Sequence, residues 1–418
     1  MKVVEPLPTD AVEPRPLGFV ADRLKLRAKP KVDRRERTEV VETVLVAGAE
    51  DNAKASAQAK QKRLVSIDAF RGLTVILMLI VNNMALDTAT PDAFTHAGWN
   101  QGLRLADFVF PWFLLCVGLS IPFSFASFKK KGLPSWRMDL KIIGRTIGLI
   151  ALGCVINAAI SRQVVFTLGV LQLIGLAYFL AAYSYELPMF RRGVIATAML
   201  LGYGMAIKFL PIPGSTIGSF TENVNFIDHI NRTYLLMYNL DGLFSAIPTA
   251  ALMIYAGMVG EALMSPKLDH LTRLVVMLVV GLTMAGLGIL VNNVLPYNKP
   301  VWTPSYLLLT GGVGILLVCG LYLFTDAIKW TKWPYLFLVF GSNAILAYVL
   351  PVMCKVMIFS VWTISSRTGK ITVQEALLDS LVNRFGRMPG GWAYTSLYIG
   401  FWWLVLLVLY RKRVFLRV

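Results

Sequence analysis

Charge is scarce in this sequence: Asp, Glu, Lys and Arg make up 16% of its 418 residues, against roughly 25% in an ordinary soluble domain. That argues against a soluble enzyme. Histidine is scarcer still, with three residues, and the four cysteines, Cys116, Cys154, Cys319 and Cys354, show no CxxC spacing. A disulfide framework and a zinc site are both disfavoured, and the cysteines read as packing residues. No internal repeat is visible, which speaks against transporters built from duplicated halves. What is abundant is apolar. Hydrophobic residues reach 56% of the chain and come in blocks of about 20 or more, the length a helix needs to cross a bilayer. The net charge of +17 does not imply a nucleic-acid partner, because basic residues at membrane edges serve topology and contact with anionic lipid.

Residues 1–62 differ from the rest, with Pro6, Pro8, Pro14, Pro16 and Pro30, mixed charges and Phe19 as the sole aromatic residue. Such a segment buries too little apolar surface to offset its ordering entropy, so a disordered cytoplasmic tail is expected. It lacks a signal-peptide core and is expected to be retained. From Leu64 the pattern predicts an all-α, polytopic integral membrane protein of about ten transmembrane helices, over 64–86, 105–128, 142–160, 164–184, 193–210, 243–263, 271–295, 303–325, 333–358 and 392–410. Alternate connectors are rich in cations, among them Lys129, Lys130, Lys131, Arg137, Lys141, Arg191, Arg192 and the closing Arg411, Lys412 and Arg413. The opposite connectors are longer and hold fewer. The positive-inside rule then puts both termini in the cytoplasm. Three outward segments are long: 87–104, 211–242 and 359–391.

Polar side chains in or beside a span are costly and need a partner or a purpose. They are densest around the first hairpin. Asp68 and Arg71 sit three residues apart near the inner end of the first span, Asn82 and Asn83 near its outer end, His96 in the first outward loop and Asp107 in the first turn of the second span. Asp68 and Arg71 read equally well as an i,i+3 ion pair, and Asp107 as a carboxylate favoured by a helix N-terminus. His96 stands between span ends that carry Asn and Asp, where an imidazole exchanges protons near neutral pH. His229 and His270 read as loop and connector residues, and the tryptophans as interfacial anchors.

The run from Arg63 to Gly72 (RLVSIDAFRG), then Asn82, then His96 to Asn100 (HAGWN), then Leu105 to Phe113 (LADFVFPWF), resembles the heparan-α-glucosaminide N-acetyltransferase family of transmembrane acyltransferases. Weaker words follow: Gly169 to Gln172, Asp241-Gly242-Leu243, Asn298-Lys299 with Trp302-Thr303, Thr310-Gly311-Gly312, Phe340 to Asn343, and the ending Tyr410 to Arg413. The resemblance covers about 63–418, which is expected to be the acyltransferase domain. It departs from the family pattern in one extra residue between Trp99 and Gly102, and in Leu173 where the family often has Arg.

The resemblance implies that His96 is catalytic, with Asn82 and Asp107 matching the family's other first-hairpin residues. It implies acetyl-CoA as co-substrate, with no cofactor bound permanently, and a sugar or amino-sugar acceptor across the membrane. Acyl transfer from a thioester needs a base and an oxyanion donor. His96 suits the first role, the Asn82 amide the second, and Asp107 could orient the ring as in a triad. The donor's phosphates would rest near inner cations, for which Arg63, Arg71, Arg145 and Arg192, with Lys62, are the candidates. A bacterial inner membrane with the site near its periplasmic face fits this reading. The rivals are a transporter of a small polar solute using Asp68, Arg71 and Asp107 as a charge path, and an idle scaffold displaying the tail. A homo-oligomer is left open.

Overall fold

The computed structural model describes residues 64–84, 86, 89–164, 166–330, 332–366 and 369–415. The tail expected over 1–62, and Arg63, lie outside the described residues. Every segment predicted to span is helical: α1 Val65–Asn83, α2 Leu105–Lys129, α3 Ser135–Ser161, α4 Val170–Ser184, α5 Met189–Phe209, α6 Ala246–Met264, α7 His270–Asn292, α8 Pro304–Tyr322, the pair α9 Tyr335–Ser342 and α10 Ala344–Cys354, and α12 Arg387–Arg411, which follows α11 Val373–Phe385. Among the described residues, seven helices are long and apolar enough to cross a membrane alone, and the bent pair makes up to eight. The protein is therefore a polytopic helical membrane protein.

α2 and α6 are the most enclosed spans. Their sequences explain it. Both are apolar on all sides, the pattern of a helix surrounded by others, and they pack against each other where Gly118 and Gly260 leave no room for a Cβ: one added at Gly118 would lie 2.5 Å from the Met253 carbonyl oxygen, and one at Gly260 2.5 Å from that of Leu119. α7 keeps wide apolar exposure, as at Leu278, Leu282 and Leu290, as expected of a helix facing lipid.

Two predicted spans are not simple. The segment expected as one helix over 333–358 breaks at Asn343 and bends by 79°, and Asn343 is buried, its amide donating to the Val414 carbonyl at 2.9 Å. The segment expected over 164–184 begins its helix only at Val170, after an extended Gly169, and Leu168 and Gly169 line a cavity. α4 has 15 residues, about 22 Å at the α-helical rise, short of the ~30 Å hydrocarbon core. The segment 359–391, expected to face outward, contains an antiparallel hairpin, β1 Thr363–Ser366 with β2 Gly369–Thr372, and then α11. No secondary structure was expected there.

Candidate active site

The C-terminal end of α1, the loop before α2 and the first turn of α2 meet at one end of the bundle. Asp107, three residues into α2, is 1% exposed on its side chain. Its Oδ2 accepts the backbone N–H groups of Arg104 at 3.0 Å and Ala97 at 3.2 Å, which closes the loop back onto the helix. Its Oδ1 lies 2.8 Å from His96 Nδ1. An ionised carboxylate only accepts, so Nδ1 carries the hydrogen, and in the neutral imidazole the lone pair is then on Nε2. The α2 backbone is tied in turn to α8, where the Tyr306 hydroxyl donates to the Asp107 carbonyl at 2.6 Å and Trp112 donates to the Thr310 carbonyl at 3.1 Å.

The extra residue between Trp99 and Gly102 does not separate the pair. Asn100 takes φ +56° and Gly102 φ +86°, left-handed conformations that favour Asn and Gly, and the Gln101 N–H closes a turn on the Gly98 carbonyl at 3.1 Å. Trp99 meanwhile packs into a small core of Tyr203, Ile207, Ile227, Leu295 and Val301, which anchors the loop.

His96 opens onto a cavity of about 390 Å³ whose walls include Met78, Asn82, Phe110, Leu168, Gly169, Leu173, Gly242, Lys299, Trp302 and Tyr348. The structure thus brings Asn82 and His96 to one space, with Asp107 directly behind the imidazole. Leu173, at the family's frequent arginine position, forms part of the apolar wall.

One residue of the site went unread as such in the sequence. Lys299, on the connector between α7 and α8, places its Nζ 2.9 Å from His96 Nδ1, 3.1 Å from Nε2 and 3.5 Å from Asp107 Oδ1. Its loop is held by Asn298, whose Oδ1 accepts the Val301 N–H at 3.0 Å and whose N–H donates to Thr303 Oγ1 at 3.0 Å. Burial pushes the Lys299 ammonium below the ordinary lysine range, and the Asp107 carboxylate opposes that shift. The word Asn298-Lys299 was a visible signal, but nothing in it says which loop it faces.

The cations expected to meet the donor's phosphates lie elsewhere. Arg71 pairs with Asp68 at 2.8 Å and donates to Ser120 Oγ at 2.7 Å. Arg192 pairs with Glu261 and lies 4.8 Å from the Tyr185 ring centroid, and Arg145 lies 4.5 Å over Tyr178. None of the three lines the His96 cavity. Arg71 precedes Asn82 by eleven residues of α1, about 17 Å along the axis.

Fold and site together define a class: a polytopic helical membrane protein with an Asp-held imidazole facing a cavity near one membrane edge. The model of the family described as heparan-alpha-glucosaminide N-acetyltransferase, catalytic, matches residues 63–219, which hold all of the first hairpin. The chain is 26% identical over an alignment of 421 positions to the heparan-alpha-glucosaminide N-acetyltransferase of Homo sapiens, and 25% identical over one of 422 to that of Mus musculus. Each alignment covers 85% of this chain and 60% of the relative, so the chain spans about three fifths of the length of these curated relatives. Over residues 63–219 the chain is thus similar to the heparan-alpha-glucosaminide N-acetyltransferase family.

Proposed function

We propose that this protein is a membrane-embedded acetyltransferase, moving an acetyl group from cytosolic acetyl-CoA to a sugar or amino sugar on the extracytoplasmic side. The observation that carries this reading is the Asp107–His96 pair at the edge of the cavity that Asn82 lines. In the reaction the acceptor nitrogen or oxygen attacks the thioester carbonyl carbon, a bond to carbon forms and the carbon–sulfur bond breaks. His96 Nε2 takes the proton from the acceptor and passes it to the departing thiolate. Asp107 holds the ring so that Nε2 faces the cavity and steadies the imidazolium. The Asn82 amide donates to the developing oxyanion.

The donor's phosphates are assigned to the inner basic residues. Arg145 suits this best of the described candidates, because its buried Nε has no hydrogen-bond partner within the protein, whereas Arg71 and Arg192 are paired with carboxylates. The transporter reading loses its charge path: Asp68 and Arg71 bind each other, and Ser120, their neighbour on α2, is thirteen residues from Asp107, about 20 Å away. A bacterial inner membrane, ten crossings with both termini cytoplasmic, and a periplasmic site complete the proposal.

The test is to incubate purified protein with labelled acetyl-CoA and a panel of sugars and amino sugars, and to follow label into the acceptor. Transfer by the wild type that His96→Ala abolishes is the expected result. No transfer to any acceptor, from protein shown to be folded, would overturn the enzymatic reading.

A further inference from the structure

Lys299 is the charged group that touches the His96 pair and that the mechanism above leaves without a task. With Nδ1–H directed at Asp107, the one acceptor on the imidazole is the Nε2 lone pair; the Lys299 ammonium, 2.9 Å from Nδ1 and 3.1 Å from Nε2, lies against the ring beside that lone pair and not along its axis. The lone pair stays open to the N–H of an acceptor amine. Lysine therefore stands, in the resting site, beside the position its substrate will take.

We infer that Lys299 is a catalytic residue of the acyl transfer. It rests against the His96 ring, and when donor and acceptor enter, the ammonium turns to the thioester carbonyl oxygen and stabilises the oxyanion together with Asn82. This rests on the acetyl-transfer reading and assigns that reaction its missing positive charge. Three observations support it.

Lys299 and Asn82 line the same cavity, so both face the space that a thioester carbonyl would enter. The lysine stem is long and rotatable, and its loop is fixed at Asn298, Val301 and Thr303, so the side chain can swing while its root stays. The charges also balance. Asp107 and Lys299 cancel at rest, and during attack the new imidazolium and the new oxyanion cancel each other. Without Lys299 the oxyanion would form beside the buried Asp107 carboxylate with one cation for two anions. A charge-assisted donor is also about twice as strong as a neutral amide.

Atoms and electrons balance without an added reactant. The acceptor N–H proton goes to Nε2 and then to sulfur, the carbonyl oxygen regains its double bond as thiolate leaves, and Lys299 keeps its proton throughout.

The test compares wild type, Lys299→Met and Lys299→Arg in steady-state acetyl transfer. Lys299→Met is expected to lower kcat by about 10²- to 10³-fold, the usual loss for one oxyanion donor, with the KM for acetyl-CoA unchanged. Lys299→Arg is expected to recover part of the rate. The pH profile separates catalysis from packing. Because the Lys299 ammonium is held below the usual lysine range, wild-type kcat should fall at alkaline pH earlier than an ordinary lysine would allow, and Lys299→Arg should lose that limb. The other groups around it remain in the arginine variant: His96, Asp107 and Arg104 from the first hairpin, Tyr306 from α8, Tyr297 on its own loop, and Tyr348 and Lys355 from the broken span. An active wild type with undiminished kcat in Lys299→Met, or an alkaline limb that survives in Lys299→Arg, overturns the role of Lys299 alone. A wild type that transfers no acetyl group overturns the enzymatic reading and this inference with it.

Discussion

The side chain of His96 is 53% exposed while the carboxylate behind it is 1% exposed, so the two residues should fail in different ways. His96→Ala removes a half-exposed ring with little packing. It is expected to lower turnover by about 10²- to 10⁴-fold with thermal stability close to wild type. Asp107→Asn keeps the shape but puts an amide where the carboxylate meets two backbone N–H groups and the His96 Nδ1–H. With its oxygen on the two N–H groups the amide turns its NH2 to His96, which then takes the other tautomer and has no acceptor left at Nε2, so this variant is expected to lose activity, and the lost charge opposite Lys299 to lower the melting temperature as well. A thermal-unfolding series beside turnover measurements checks both, and wild-type turnover in His96→Ala would remove the proposed base. The pair was legible in the sequence because both residues lie in one hairpin, eleven positions apart. Lys299 was not, because it reaches His96 across 203 residues, and a contact of that range depends on how α7 and α8 dock.

At the scale of the elements, α1 carries Asn82 to the site and is fixed by the helices beside it. Its first turn has no cap of its own. Asp326, from the turn after α8, supplies one, accepting from the Val65 and Ser66 N–H groups at 3.1 and 2.9 Å. Further along, α1 crosses α9 so closely that a Cβ on Gly72 would lie 1.8 Å from the Phe337 carbonyl oxygen, and one on Gly341 1.9 Å from that of Asp68. Both obstacles are backbone, so no side chain can yield. Gly72→Ala and Gly341→Ala are each expected to cost the upper part of the ~1–3 kcal/mol typical of overpacking, or more, seen as lower melting temperature and yield in detergent. Gly144→Ala on α3, with open space around its site, is the control and should be tolerated. Helical spans were legible from apolar block length. The break at Asn343 was not, since the apolar run continues through it. The hairpin and α11 in the segment 359–391 were missed although Thr372 and Glu375 form a capping box; without an apolar block that signature drew no attention.

For the whole molecule, the direction of transfer depends on which end of the bundle faces the cytoplasm. The α1 and α2 helices are antiparallel neighbours joined by the loop that carries His96, so the Lys129–Lys131 cluster at the far end of α2 must lie on the opposite side from the cavity. Cations are favoured at the cytoplasmic leaflet and held back from translocation, and on the proposed reading the cavity is therefore extracytoplasmic and a cytosolic donor has a membrane's depth to reach across. Single cysteines test this directly. Ala93 is exposed in the loop ahead of His96 and Lys130 is exposed beyond α2, whereas Thr95 is engaged by Arg104 and is the poorer probe. In a background with the native cysteines replaced, Ala93→Cys should react with an impermeant thiol reagent added to intact cells or to spheroplasts, and Lys130→Cys should react only after the membrane is opened. The reverse pattern would put His96 on the same side as cytosolic acetyl-CoA. Transfer would then need no passage through the bilayer, and the assignment of inner basic residues to the donor's phosphates would fall with the orientation.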